Sequence, residues 1–155
     1  MRDCGDIAKN SGDVSMEKTL IAYYIANYGP ESLVPTILID VQSMGWLTLL
    51  RDSIRNLLDD AITEIDFLQF EDIEVSNIRT FQLMKSAKYA FAKVKVEEGI
   101  LDLVWTLDAD GLAHILYLME PFFKAGGRGH QYIDVDDSLE IELGYKELYI
   151  RKNFR

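Results

Sequence analysis

Cysteine occurs once in these 155 residues, as Cys4, and histidine twice, as His114 and His130. A single thiol excludes an intramolecular disulfide and every multi-cysteine zinc pattern. No apolar run reaches the roughly 18 residues that a membrane-spanning helix needs. The opening stretch MRDCGDIAKNSGDVS lacks the apolar centre of a secretory signal, so the cytoplasm is the expected compartment. Neither Walker spacing nor G-x-G-x-x-G occurs, and no serine sits in a G-x-S-x-G elbow. Positive charge is scarce as well: 16 Lys and Arg face 26 Asp and Glu, for a net charge of −10. Such a chain repels nucleic acid and anionic lipid at long range and favours encounter with basic partners.

What is present suits one globular domain. Hydrophobic residues make up 48% and charged residues 27%, enough apolar side chain for a sizeable core. Residues 1–14 are polar and aperiodic and read as a flexible N-terminal arm, with Met16 as an alternative natural start. Residues 15–155 read as a single α+β domain. Leu20, Ile21, Tyr24, Ile25 and Tyr28 fall at helical spacing, which predicts a helix capped by Ser15 and stopped by Gly29-Pro30. TILIDV, residues 36–41, is a short apolar run expected to form a buried strand. Leu47, Leu50, Ile54, Leu57 and Leu58 define a second helix with Ser43 as its cap, although Asp59 and Asp60 put unfavourable charge at its C-terminus.

From residue 63 the period shifts towards two. TEIDFLQF and IRTFQLMKS are strand candidates, and YAFAKVKV and ILDLVWTL, joined by EEG, predict a β-hairpin. Asp108 is expected to cap a helix carrying Leu112, Ile115, Leu116, Met119, Phe122 and Phe123 on one stripe, with Pro121 near its end. LEIEL predicts a strand with Leu139, Ile141 and Leu143 inward and Glu140 and Glu142 outward, and ELYI is a possible extension of the sheet. The expected architecture is a largely antiparallel sheet with two or three helices packed on one face.

The stretch KAGGRGHQYIDVDD, residues 124–137, concentrates glycines, a histidine and aspartates. Its glycines follow a helix, the wrong end for a phosphate cradle, so Gly126 or Gly127 reads as a left-handed C-cap. His130, Asp134, Asp136 and Asp137 are oxygen and nitrogen donors, but the sixth position counted from Asp134 is Leu139, where a calcium loop needs glycine. A solvated turn is the plainer reading, and no cofactor is expected.

Two acidic blocks remain. Residues 59–74 hold seven acids and no base, among them Asp59, Asp60, Glu64, Asp66, Glu71 and Asp72, with Phe67 and Phe70 interleaved. Residues 134–142 hold five more, including Asp134, Asp136 and Asp137, just after Tyr132. Carboxylates around an aromatic anchor suit a basic protein partner.

The segment VWTLDADGLAHILYLMEPF followed by GHQYIDVDDSLEIEL resembles the strand–helix–GHQY–strand endings of small bacterial immunity proteins of polymorphic-toxin and contact-dependent inhibition systems. The resemblance covers about residues 100–143. It implies a non-enzymatic cytoplasmic inhibitor that binds a cognate, basic toxin domain, with Gly129, His130, Gln131 and Tyr132 as a structural loop or a contact. Two other classes stay open. One is a small adaptor or regulatory subunit that homodimerises or pairs through the YAFAKVKV strand, with Tyr89 and Phe91 beside Lys93 and Lys95. The other is a metal-assisted enzyme built on His130, Asp134 and Asp136.

Overall fold

Apolar residues on both faces of the first long segment decide the fold. The computed structural model describes residues 18–30 and 32–146; the N-terminal arm, Ser15, Met16 and ELYI lie outside them. Where helical spacing predicts a helix, the chain forms strand β1, Thr19–Gly29. Ile21 and Tyr23 point into the main core, whereas Leu20 and Ala22 are buried on the opposite face. A strand covered on both sides reads as a continuous apolar run, which imitates helical spacing, and its aromatic and β-branched content favours the extended chain.

β1 pairs antiparallel with β2, Ser32–Val41, which contains the predicted TILIDV strand. Helix α1, Met44–Leu58, follows; the Ser43 side chain accepts the N–H of Trp46 at 3.3 Å, and Leu47, Leu50, Ile54 and Leu57 are buried. Short strands β3, Glu64–Asp66, and β4, Ile73–Ser76, flank a 3-10 turn at Phe67–Gln69. Strands β5, Ile78–Lys85, β6, Phe91–Glu97, and β7, Ile100–Leu107, come next. Between β6 and β7, Glu98 and Gly99 take φ of 52° and 79°, the double left-handed step of a tight hairpin. Helix α2, Ala109–Met119, starts where Asp108 accepts the N–H of Gly111 at 2.8 Å, and passes into a 3-10 turn at Pro121. Strands β8, Gly129–Asp136, and β9, Leu139–Tyr145, complete the described chain.

The class is α+β, in two mixed sheets. One has the order β4-β1-β2-β9-β8, the other β3-β5-β7-β6. β1–β2, β8–β9, β3–β5 and β6–β7 are antiparallel; β1–β4, β2–β9 and β5–β7 are parallel. The parallel neighbours are far apart in sequence and so invisible to local alternation. α1 lies against β2, β3 and β5, α2 against β7 and β8, and the helices touch each other. Both sheets and both helices share one core: Ile39, Leu50, Leu83, Trp105, Ile115 and Ile141 converge around a void of only 20 Å³.

Candidate interaction surface

The first acidic block links α1 to β4. Asp59 is the C-cap of α1 and Asp60 takes φ 62°, a left-handed turn that aspartate tolerates. Lys85 of β5 answers the charge conflict at this helix end. Its Nζ donates to the carbonyl of Leu58 at 2.7 Å and to Asp60 Oδ1 at 3.0 Å, so a cation from the sheet offsets both the dipole and the aspartates. Glu64 is exposed on β3. Asp66 is half-buried and accepts the N–H of Leu68 at 3.0 Å, which caps the 3-10 turn. Glu71 and Asp72 are exposed just before β4. Among the described residues, Asp59, Glu64, Glu71 and Asp72 form no ion pair.

The two interleaved phenylalanines part company. Phe67 is core, 3% exposed and stacked on Phe81 with ring centroids 4.0 Å apart. Phe70 is half-buried and meets Trp46 edge-on at 5.2 Å. It lines a cleft of about 820 Å³ with Trp46, Leu49, Lys18, Glu71 and Asp72. The Trp46 Nε1–H donates to the carbonyl of Glu71 at 3.2 Å and ties this acidic segment to α1.

The second block lies elsewhere. Asp134 and Asp136 are exposed on β8 and Asp137 in the β8–β9 turn, where Asp136 Oδ1 accepts both the N–H and the Oγ–H of Ser138. β4 and β8 are the two ends of the five-stranded sheet, four strand spacings or roughly 19 Å apart. The two blocks therefore do not merge into one patch.

The GHQY residues correct the expected loop. The turn ends at Arg128, and Gly129, His130, Gln131 and Tyr132 begin β8, paired with Tyr145, Gly144, Leu143 and Glu142 of β9. Glycines and aspartates at the ends concealed the alternation of exposed His130, Tyr132 and Asp134 with buried Ile133 and half-buried Gln131 and Val135. His130 meets Tyr132 edge-on at 5.1 Å. The expected left-handed glycine C-cap is not found: α2 is capped by Glu120 and the 3-10 turn by extended Lys124. Gly126 takes φ 72° in the turn beyond, where the N–H of Gly127 donates to the carbonyl of Lys124 at 2.8 Å. On an extended strand, His130 and Asp134 are separated by roughly 13 Å, too far to share one ion. Among the described residues, no three His, Cys, Asp or Glu side chains gather at metal-binding distance.

The sheet also holds a polar site that alternation misassigns. Glu142, expected to face outward, is 6% exposed, and Asp40 is fully buried. Side chains of paired residues share a face, so Ala22, Leu38, Glu142 and Tyr132 form one row across four strands. Tyr24 donates to Glu142 Oε1 at 3.1 Å and Tyr132 to Oε2 at 3.3 Å, clamping the carboxylate from both sides. Gln42 Nε2 donates to Asp40 Oδ1 at 2.8 Å. The available signal was Asp40 within an otherwise apolar run, since a strand covered on both faces buries whatever acid it carries.

No described helix is long and apolar enough to cross a membrane. Comparison with known proteins gives no match to any family model, curated protein or solved structure.

Proposed function

We propose that this chain is an immunity-type inhibitor of bacterial origin that binds and neutralises a cognate basic toxin domain in the cytoplasm, without catalysis of its own. The observation that carries the reading is the first acidic block, where exposed Asp59, Glu64, Glu71 and Asp72 lack cationic partners among the described residues. Of these four, Glu71 and Asp72 line a cleft with Trp46, Phe70, Leu49 and Lys18, whereas Asp59 stands at the far end of α1. A mixed cleft that sets Trp46, Leu49 and Phe70 beside the carboxylates of Glu71 and Asp72 suits the aliphatic stem and charged head of a lysine or arginine. Asp134, Asp136 and Asp137, at the other end of the five-stranded sheet, add to the long-range field and stand apart from a contact centred on the first block.

The test is growth rescue by co-expression with the toxin gene that neighbours this one. Asp59→Lys, Glu64→Lys and Glu71→Lys together spare Asp60 and Asp66, which serve the fold. The triple variant should keep its melting temperature and lose protection, with association slowed most at low salt. Full protection by the folded variant removes this surface from the function.

A second reading rests on β6, a terminal strand of its sheet, where Phe91 and Val96 are 42% and 44% exposed and Tyr89, just before it, is 59% exposed. Such a strand can pair with a second copy or an adaptor's partner. Lys93 and Lys95, both exposed, are the kind of charges that blunt an edge against pairing. A dimer that sediments unchanged from about 50 mM to about 500 mM salt, and dissociates on Phe91→Lys, supports it over acid-steered binding.

A further inference from the structure

In a chain of net charge −10, three cations border one groove between α1 and α2. Arg51 and Arg55 stand one turn apart on α1, and Lys124 follows the 3-10 turn after α2. The groove encloses about 450 Å³ over Ala113, Leu116 and Phe123. The Arg51 guanidinium lies 4.0 Å over the Phe123 ring, which holds it in place, and its Nε is 3.5 Å from Asp52. Arg55 and Lys124 are exposed and form no ion pair among the described residues. Glu120 is the one acid in the lining, and Tyr117 stands 67% exposed beside it.

We infer that this groove is a docking site for an acidic peptide segment carrying an apolar side chain, presented by a protein other than the toxin. The charge balance of the lining selects carboxylates, and Leu116 with Phe123 selects a leucine- or phenylalanine-sized anchor. The anchor is needed for a physical reason. The molecule's overall field repels anions, so a ligand held here must gain its affinity from contact and not from long-range attraction. The inference does not depend on toxin binding: Arg55 stands one turn before Asp59, but no residue of the acidic block lines the groove.

The test uses the full chain, ¹⁵N-labelled, and an acetylated hexapeptide with four acidic residues flanking Leu-Phe. Saturable shifts should cluster at residues 51–55 and 113–124. Affinity should fall at least tenfold in the Arg55→Glu, Lys124→Glu double variant, whose two side chains are solvent-exposed and whose spectrum reports its folding. A peptide with lysines in place of the acids should not bind. The inference is overturned if shifts fail to saturate, if the folded double variant binds equally well, or if inorganic phosphate at equal concentration gives the same shifts. It is also overturned if sedimentation shows a second copy covering the groove.

Discussion

Arg79 stands at a register shift between β5 and β7 and lays its guanidinium across the carboxylate of Asp102. Its Nε donates at 3.0 Å to Oδ1 and its Nη2 donates to Oδ2, while Thr80 Oγ1 donates to Oδ1 at 2.7 Å. The bulge supplies the extra residue that turns Arg79 onto its neighbour. These hydrogen bonds, from Arg79 first and then Thr80, lower the Asp102 pKa from 3.8 to about 2. A folded-state pKa below the unfolded one adds stability above pH 4 that is lost as pH falls towards 2. Asp102→Asn should therefore lower Tm at pH 7, and its gap from the parent should close across that window. A gap constant from pH 7 to pH 2 would refute the linkage.

Gly127 is held by space, not by φ. A Cβ there would lie 2.4 Å from the carbonyl oxygen of Pro121 and 2.7 Å from that of Phe122, both backbone atoms. Gly127→Ala should cost about 1–3 kcal/mol in urea unfolding, since the turn must move. Gly126→Ala, with open space around the site but φ of 72°, should cost about 1 kcal/mol. The reverse ranking would place the constraint at the wrong glycine.

Phe67 and Phe70 separate stability from recognition. Phe67→Ala removes a buried ring stacked on Phe81 and should cost about 3–5 kcal/mol. Phe70→Ala, at a half-buried position lining the cleft, should cost less and weaken binding of the proposed partner more than it weakens the fold. Equal losses of stability would make Phe70 simply part of the core.

Glu142 is the most exposed to misjudgement from sequence. Glu142→Ala removes the carboxylate to which the hydroxyls of Tyr24 and Tyr132 donate, and should cost about 1–3 kcal/mol. Tyr132→Phe removes one donor from the rim and should cost about 1 kcal/mol or less. Denaturant melts of both variants check the order.

Legibility followed how local each signal was. The β6–β7 hairpin, the Ser43 and Asp108 caps and the apolar stripes of α1 and α2 rest on residues within a few positions of each other, and all appear as expected. β1 was misread because Leu20, Ile21, Ala22 and Tyr23 are all buried, and burial on two faces erases the period that separates strand from helix. GHQY was misread because Gly126 and Gly127 stand in the connection that runs to Arg128, and the strand begins at the next residue. The acidic blocks were legible as composition. Their separation was not: the first block runs from the end of α1 through β3 of the other sheet to β4, and parallel pairing of β1 with β4 and of β2 with β9 leaves no mark in nearby residues.

The β2–β9 pairing joins Thr36 to Glu140 and Val41 to Tyr145, residues about a hundred positions apart. During synthesis, the hairpin of β1 and β2 waits on the ribosome with one side bare until β9 has been made. Closing so distant a seam is slow and leaves an adhesive intermediate in the meantime. Chains ended before residue 139 would lack the interior strand that joins β2 to β8, and would collect in aggregates instead of accumulating as a smaller folded protein.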